Sequence, residues 1–571
     1  MIKLDLTGLW DFVVDLDPKY HNNPVIHPVP AYAQPDFNRR NWLKVPVPGV
    51  WNKYAEKLDI YEGVCWFVRE FTGETLTSGF TAFLRFGAVN YRCRVFLNGQ
   101  EVGTHEGGYT EFVVDVSGAL KEGENVLGVE VDNRAVITKL PPVLGYFNYG
   151  GIHRDVSLEI HPGAFLEDVA LTTGQETLGV TGTIRRREPD LRVKITCHGV
   201  ETVVIPTGEE IREVQLRVPG VSPWTPDSPT LYPVTVQLLR GSKVLHEVSY
   251  RIGFRTIEMA DGKVLLNGKS IFLKGICYVY DSPAYGLTMK PEQFETDLAL
   301  LKELGVNTIR GHFPFTREFY EACDRIGIMV WNETPVYCLH PKDDATNTIF
   351  SDPEFIDLAR SMIREMIRQV RNHPSVIVYS LGNECNVENK EAEGFFKVLC
   401  ETVRALDPTR LVSYASLYCI VGPLAGLVDI LGINQYWGWY DREYWGKEPP
   451  ALDGPIDLKV LEEKLEELKH LHKKPMLMTE FGGDSIPGYM AESKNLWSED
   501  YHAELLKATF AVLEKHPEIR GTFPFCFTDY RDPSKHVNGY WDYMNYKGVV
   551  SYDRRPKKAF YALKSLYGKG Q

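Results

Sequence analysis

The sequence predicts two all-β sandwich units followed by a (β/α)8 barrel, and three observations indicate this order. Up to about residue 162, short apolar segments alternate with turn residues and no long stretch has helical periodicity. The next segment, up to about residue 257, repeats this pattern in a smaller unit. From there to the end, strand-like apolar runs alternate with amphipathic helices, as in a barrel of parallel strands. We therefore expect domains at 1–162, 163–257 and 258–571.

The two sandwich units are predicted from their strands. In the first, which we expect to be a jelly-roll sandwich, Asn98-Gly99 is a hairpin signal between two apolar runs. In the second, the length and the strand number suit an immunoglobulin-like sandwich. The clearest strands of the two units are 64–71, 81–87, 91–99, 111–116 and 125–131, then those that contain FLEDVALTT, LRVKITCHG, REVQLRVPG, YPVTVQLLRG and HEVSYRIGF.

The barrel is predicted from eight candidate strands with helical patterns between most of them. They are 271–278, 306–311, 328–333, 375–382, 411–416, 429–436, 475–481 and 519–527. The clearest helix covers 353–371, where apolar residues recur with a spacing of 3.6. Asp352 can cap this helix and Pro353 occupies its first position.

Composition excludes several classes of function. The chain has 571 residues and a net charge of −13, which argues against nucleic acid or an anionic membrane as the main partner. It has no apolar run long enough to span a membrane and no leader pattern, so we expect a cytoplasmic protein. The ten cysteines are scattered without a Cys-x-x-Cys pair, which indicates buried thiols instead of disulfides or a zinc site.

Two glutamates stand at the ends of predicted barrel strands. Glu384 follows the fourth apolar run and Glu480 ends the seventh. Catalytic residues of such barrels lie at the carboxyl ends of the strands, so the two carboxylates are expected to face one pocket. The alternative is that each one forms a salt bridge or caps a helix. A facing pair suits glycosidic bond cleavage, in which one carboxyl donates a proton and the other attacks the anomeric carbon.

Several motifs resemble glycoside hydrolase family 2, and within it the β-glucuronidases, over nearly the whole chain. These motifs are 147–156 (FNYGGIHRDV), 253–258 (GFRTIE), 266–269 (LNGK), 272–275 (FLKG) and 373–384, which ends in Asn383-Glu384. The resemblance implies a sugar-binding-like first domain and a retaining exo-β-glycosidase that acts on β-D-glucuronides by double displacement. It implies no metal or organic cofactor.

The resemblance also assigns residues. It implies that Glu384 is the general acid/base, that Glu480 is the nucleophile and that Asn383 binds the 2-hydroxyl of the sugar. In the segment 434–440, Tyr436 would orient the nucleophile and Asn434 would lie close by. The alternative for this segment is aromatic packing beneath the rim.

Four further residues are expected to bind substrate. Asn545 and Lys547 match the Asn-x-Lys motif with which β-glucuronidases hold the uronate carboxylate, and an ammonium group favours an anion. The alternative is that Lys547 pairs with Asp542 or Asp553. Arg310 and His312, after the second strand, complete the expected set.

The chain departs from the β-glucuronidase pattern around the sugar. The departures are at Gly145, Tyr278-Val279-Tyr280, Gly311 with the shorter spacing from Arg310 to His312, Phe525 and Trp541. They leave hydrolysis unaffected and bear on the sugar that is held. A β-galacturonidase or a β-galactosidase of the same family is therefore an alternative.

Two readings from other classes stay open. One is a non-catalytic carbohydrate-binding protein on the same scaffold, and the other is a metal-dependent hydrolase that uses His312, His340 and His373. The expected partner is a small-molecule glycoside or oligosaccharide. By analogy with related enzymes, we expect a homo-oligomer, either a dimer or a tetramer.

Overall fold

The computed structural model describes residues 1–23, 29–74, 76, 79–136, 138–340, 349–440, 456–538 and 542–568. It contains two β-sandwiches and a closed eight-stranded barrel, so the predicted fold class is confirmed. None of the described helices is long and apolar enough to cross a membrane.

The first sandwich packs a four-stranded sheet (β1-β12-β5-β9) on a six-stranded sheet (β3-β2-β4-β10-β7-β8). Its elements are β1 Ile2–Asp5, β2 Gly8–Asp15, α1 Pro18–His21, β3 Leu43–Val47, β4 Val64–Gly73, β5 Thr81–Phe86, β6 Val89–Asn90, β7 Arg92–Leu97, β8 Gln100–Glu106, β9 Phe112–Asp115, β10 Gly123–Asp132, β11 Gly151–Ile152 and β12 Val156–His161. The predicted hairpin joins β7 to β8, and Asn98 and Gly99 both have positive φ (54° and 83°), as a two-residue hairpin turn requires.

The second sandwich packs three strands (β13-β14-β17) on four (β16-β15-β18-β19). They are β13 Phe165–Thr173, β14 Thr177–Arg185, β15 Leu191–Cys197, β16 Val200–Val204, β17 Glu210–Arg217, β18 Tyr232–Arg240 and β19 Lys243–Ile252. A small sheet of β20 Ile257–Ala260, β21 Lys263–Leu266 and β22 Lys269–Ser270 leads into the barrel. Buried Arg255 donates to the carbonyls of Pro374 (2.9 Å) and Val376 (2.6 Å), which fixes the end of this sandwich to the barrel.

The barrel closes through parallel pairing of its first strand with its last. Its strands are β23 Leu273–Cys277, β24 Thr308–Gly311, β25 Met329–Glu333, β26 Val376–Asn383, β27 Leu411–Leu417, β28 Leu431–Asn434, β29 Met476–Glu480 and β30 Ile519–Thr522. The described helices around it are α2 Pro291–Glu303, α3 Arg317–Ile326, α4 Pro353–Val370, α5 Ala392–Leu406, α6 Lys459–His472, α7 Glu499–Leu513 and α8 Lys558–Gly568. A short pair, β31 Tyr530–Arg531 and β32 Met544–Asn545, follows β30.

Helix α4 begins as the sequence predicts, since the Asp352 side chain accepts a hydrogen bond from the Glu354 amide at 2.9 Å. The eighth strand is shorter than predicted. Beyond Thr522 the amide of Phe525 donates to Phe481 and that of Phe527 to Cys277, so the chain bonds alternately to the two neighbouring segments instead of continuing one ladder.

The first sandwich is fixed against the mouth of the barrel. Buried Arg154 donates to the carbonyls of Tyr109 in the sandwich (2.8 Å) and Pro314 in the barrel (2.6 Å). Arg531 forms a two-point ion pair with Asp59 at 2.8 and 2.7 Å. These contacts hold a sandwich loop, residues 145–149, next to the carboxyl ends of the barrel strands.

Candidate active site

The two glutamates lie at the carboxyl ends of the fourth and seventh barrel strands, as predicted. Glu480 is the last residue of β29 and is 4% exposed. Glu384 directly follows β26, where its φ of 48° turns the chain out of the strand. Both side chains therefore belong to the same end of the barrel, which is the end that carries the active site in this architecture.

Glu480 accepts hydrogen bonds on both of its carboxylate oxygens. Its Oε1 accepts a hydrogen bond from Arg310 Nη1 at 2.8 Å, and its Oε2 accepts one from the Tyr436 hydroxyl at 2.7 Å. His312 Nε2 lies 3.6 Å from Oε1. A permanent cation and a hydroxyl donor therefore orient this carboxylate, and a carboxylate is a group that can act as a nucleophile.

Glu384 has the opposite environment. Its one short hydrogen bond comes from Asn434 Nδ2 at 2.8 Å, and its other near neighbour among the described residues is the thiol of Cys338 at 3.9 Å. Burial, followed by the charge of Glu480, raises the pKa of Glu384 to about 8. The carboxyl therefore keeps its proton at neutral pH and can serve as a general acid.

Two asparagines connect these carboxyl groups. Asn383 Oδ1 accepts from Arg310 Nη2 at 2.7 Å and from Asn434 Nδ2 at 2.9 Å. Thr479 in turn donates to Asn434 Oδ1 at 2.7 Å. Since the oxygen of Asn383 is occupied, its amide nitrogen is the atom available to a ligand, and its bond to the Cys338 thiol is long, at 3.8 Å.

A third carboxylate, which the sequence analysis missed, lies beneath this pair. Glu333 ends β25 and is fully buried, and it accepts hydrogen bonds from Arg310 (3.1 Å), Trp331 (3.2 Å) and His312 (3.0 Å). Burial opposes its ionisation, but the Arg310 charge and the His312 bond outweigh that cost and hold the pKa of Glu333 below its usual value. Its position at a strand end was the signal available in the sequence.

Lys547 does not pair with the acids considered from the sequence. Its ammonium group contacts Asp484 and donates to the Tyr440 hydroxyl at 2.5 Å. A second buried lysine, Lys535, donates to the same hydroxyl at 2.6 Å and lies 3.6 Å from Asp484. Two ammonium groups thus share one carboxylate, and although burial opposes it they lower the pKa of Asp484 to about 2.

This cluster, which we call the lysine pair, adjoins Glu480. Lys547 Nζ lies 5.5 Å from the centre of the Tyr436 ring, whose hydroxyl binds Glu480. Burial, together with the like charge of Lys535, lowers the pKa of Lys547 even though Asp484 opposes the shift. With one aspartate for two lysines, the cluster has a surplus positive charge when both lysines are protonated.

Asn545 orients this region through all of its side-chain atoms. Its amide donates to the Tyr530 hydroxyl at 3.0 Å and to Asp532 at 3.3 Å, while its oxygen accepts from the Lys547 backbone at 3.1 Å. The structure therefore brings Arg310, His312, Asn434 and Tyr436 into direct contact with the glutamates. Asn383 bonds to Arg310 and Asn434 and reaches the glutamates through them. Asn545 and Lys547 form an adjoining layer.

Family models match the three parts of the chain in order. Residues 5–162 match the family 2 glycosyl hydrolase sugar binding domain, and residues 167–255 match a second model of that family. Residues 257–571, more than half of the chain, match the family 2 TIM barrel domain. The chain belongs to glycoside hydrolase family 2.

Individual relatives in this family are similar over almost the whole chain. A β-glucuronidase of Paenibacillus borealis is 27% identical, with 99% of this chain and 96% of the relative covered. Among solved structures, a β-galacturonidase from Eisenbergiella tayi bound to galacturonate is 26% identical, covers 99% and 97% of the two chains, and has a TM-score of 0.85. A Bifidobacterium dentium β-glucuronidase complexed with coumarin-3-O-glucuronide is 25% identical, with 100% and 97% covered and a TM-score of 0.87.

The described departures from the family pattern have different surroundings. The ring of Phe525 stands between His312 and Tyr436, with centroid separations of 5.9 and 6.5 Å. Gly145 has a φ of 71°, and a Cβ built on it would lie 2.7 Å from the Tyr337 hydroxyl. Tyr278 donates to Asp297 on α2 at 2.8 Å. Trp541 lies outside the described residues.

The histidines considered as metal ligands occupy different environments. His312 contacts Glu333 at 3.0 Å and Glu480 at 3.6 Å, His373 pairs with Asp324 at 2.6 Å, and His340 is exposed. Within the described ranges, the one cluster with metal-ligand spacing comprises Glu466, His516 and Glu518. It lies before β30, at the opposite end of the barrel strands from Glu384 and Glu480.

Proposed function

We propose that this family 2 enzyme is a retaining exo-β-glycosidase that hydrolyses β-D-glucuronides, with Glu480 as nucleophile and Glu384 as acid/base. The observation that carries the proposal is the unequal treatment of the two carboxyls. Arg310 and Tyr436 stabilise the Glu480 anion, whereas burial and the nearby anion keep the proton on Glu384. A double displacement begins with one acid and one anion.

In the first step the Glu480 carboxylate attacks the anomeric carbon and forms an ester bond to it. The bond from that carbon to the glycosidic oxygen breaks as Glu384 gives its proton to the oxygen, and the aglycone leaves as an alcohol. In the second step Glu384, now ionised, takes a proton from water while the water oxygen attacks the anomeric carbon. The ester breaks, Glu480 is an anion again, and two inversions give net retention.

The neighbours of Glu480 support both steps. The bond from Tyr436 and the one from Arg310 orient the carboxylate before the attack, and they stabilise it as a leaving group in the second step. The amide nitrogen of Asn383 would donate to the sugar 2-hydroxyl, and the two hydrogen bonds that its oxygen accepts support this role by fixing the orientation of the side chain.

The lysine pair supports a uronic acid as the sugar. Lys535 and Lys547 share the single carboxylate of Asp484, so a second carboxylate would complete the charge balance. All three side chains are almost fully buried, and a charge-assisted bond is strong where water is excluded. A neutral hydroxymethyl group would leave this positive charge without an added partner. Asn545 supports Lys547 from the backbone side.

A β-galacturonide is the second candidate substrate, favoured by the similarity to the E. tayi β-galacturonidase. The two uronides carry the same carboxylate, so the lysine pair does not distinguish them.

A panel of 4-nitrophenyl β-glycosides tests the substrate. It should include the glucuronide, galacturonide, galactoside, glucoside and mannoside. We expect kcat/KM to be highest on a uronide, and a galactoside preferred well above both uronides would contradict uronate recognition. The non-catalytic alternative predicts that none of the five is hydrolysed, by the wild type or by Glu480→Gln.

We further propose a cytoplasmic location and a homo-oligomer. All ten cysteines are free thiols, which suits a reducing compartment. Fractionation of the native host's cells with a specific antibody tests the location, and recovery outside the cytoplasm would contradict it. Analytical ultracentrifugation tests the oligomer, and a single species at the monomer mass of 65.0 kDa would contradict it.

A further inference from the structure

An aromatic pocket lies between the first sandwich and the rim of the barrel. The sandwich contributes Tyr109, Tyr146 and Tyr149, and the barrel contributes Tyr280, Phe313 and Tyr337. The rings of Tyr109 and Phe313 stack at 4.3 Å, so the two domains meet in one continuous aromatic wall. Arg154 bonds to the backbone of both domains beside this wall and keeps the pocket preformed.

The pocket adjoins the catalytic centre on the side of the nucleophile. His312 is part of its lining and lies 3.6 Å from Glu480. Its barrel residues come from the segments after β23, β24, β25 and β30, whereas Glu384 follows β26. Glu384 protonates the leaving group, so an aglycone departs along the β26 side. The pocket therefore faces the part of the sugar opposite the bond that is cleaved.

One glycine brings the sandwich loop close to the barrel at the edge of the pocket. Gly145 lines the pocket, and any side chain there would meet the Tyr337 hydroxyl, since even a Cβ would approach it to 2.7 Å. The backbone can pass this close only without a side chain, and its positive φ of 71° also suits glycine. Gly145 thus lets the sandwich loop pack against Tyr337, so that both domains form the pocket wall at this point.

The lining combines aromatic faces with an available hydrogen-bonding group. Tyr109 is 4% exposed, and its hydroxyl donates to no residue in the part of the chain that the structure describes. A ligand with flat CH faces and hydroxyl groups would satisfy both features, and a pyranose ring has them.

We propose that this pocket binds a second pyranose, linked to an outer hydroxyl of the sugar in the catalytic centre. The enzyme then releases disaccharides as well as single terminal sugars. This inference rests on the proposed β-glycosidase function and adds a substrate class to it. The bond cleaved is still the one at Glu480, so the chemistry of both steps is unchanged.

The test compares three substrates: 4-nitrophenyl β-D-glucuronide and its derivatives with β-D-glucopyranose on O-3 or on O-4. If the glycoside panel identifies another sugar, the same three compounds are made on that sugar. We expect wild-type enzyme to cleave at least one derivative with kcat/KM within about tenfold of the parent, and to release the disaccharide intact.

Val279→Trp fills the pocket from its lining, and Val244→Trp adds the same side chain on an exposed strand of the second sandwich. Val279→Trp should lower kcat/KM on the derivative by about tenfold or more and leave the parent within about twofold. Tyr109→Phe, which keeps the ring, should lower only the derivative, and Val244→Trp should change neither.

Two results would overturn the inference. One is that wild-type enzyme cleaves the parent but neither derivative. The other is that Val279→Trp and Tyr109→Phe lower kcat/KM for parent and derivative by the same factor. Failure of the proposed function would be visible separately, because the parent glycoside would then not be hydrolysed at all.

Discussion

The hydroxyl of Tyr436 offers the sharpest test of how the nucleophile is held. It donates to Glu480 Oε2 at 2.7 Å, and the ring is 8% exposed. Tyr436→Phe removes this one oxygen and keeps the ring in its place. The nucleophile retains the bond from Arg310 at 2.8 Å, so activity should be reduced and not abolished.

The size of the effect follows from the kind of bond that is lost. A hydrogen bond to a charged group is worth about 1.5–3 kcal/mol. At about 1.4 kcal/mol for each factor of ten, kcat/KM should fall by roughly 10- to 150-fold. The loss should affect both steps, because the same bond orients the attacking carboxylate and later stabilises it as it leaves.

A matched control separates this effect from the loss of a buried tyrosine hydroxyl in general. Tyr379, in the same barrel, is fully buried and donates to Asp407 at 2.9 Å. Both Phe variants should be measured for kcat/KM on the preferred aryl glycoside and for thermal unfolding. Tyr379→Phe should lower stability and keep kcat/KM within about twofold of the wild type. Wild-type kcat/KM in Tyr436→Phe, or an equal loss in both variants, would refute the reasoning.

Three further predictions concern the charged groups. Activity should fall as pH rises through the raised pKa of Glu384, because the proton donor is then lost. Burial favours the protonated form of Glu384, so its ionisation should destabilise the folded enzyme between pH 6 and pH 9. Glu384→Gln should therefore lose less thermal stability over this range than the wild type, and a steeper loss would contradict the prediction. Lys547→Ala should weaken the transition-state binding of a uronide by roughly 2–4 kcal/mol, which is measured as a lower kcat/KM. It should leave kcat/KM on a slowly cleaved neutral glycoside nearly unchanged, and equal losses on both substrates would argue against uronate recognition. Glu333→Gln leaves buried Arg310 with less counter-charge and should lower the free energy of unfolding, measured in urea, by about 3–5 kcal/mol. An unchanged unfolding midpoint would show that the Arg310–Glu333 pair does not stabilise the fold.

The sequence predicted the positions of Glu384 and Glu480 because strand patterns are local. Eight apolar runs with helices between them indicated the barrel. Counting along them put Glu384 and Glu480 on the fourth and seventh strands, where they lie. The capping of α4 by Asp352 was predictable for the same reason, since the cap and the helix are neighbours in sequence.

The partners of the charged residues were not predictable from the sequence. Lys547 binds Asp484, which is 63 positions away in the chain, and no local pattern links the two. The pairing of Arg310 with Glu333 likewise depends on adjacent barrel strands. The aromatic pocket depends on the contact between two domains, which Arg154 fixes through backbone carbonyls that carry no sequence signal.

The central claim is that Glu480 becomes covalently bonded to the sugar. A 2-deoxy-2-fluoro aryl glycoside of the preferred sugar slows the second step more than the first, so the intermediate should accumulate. Peptide mass spectrometry after digestion should then find the added fluorosugar on Glu480, with no label in Glu480→Gln. A label on another residue, or complete turnover of the aryl glycoside by Glu480→Gln, would contradict the account.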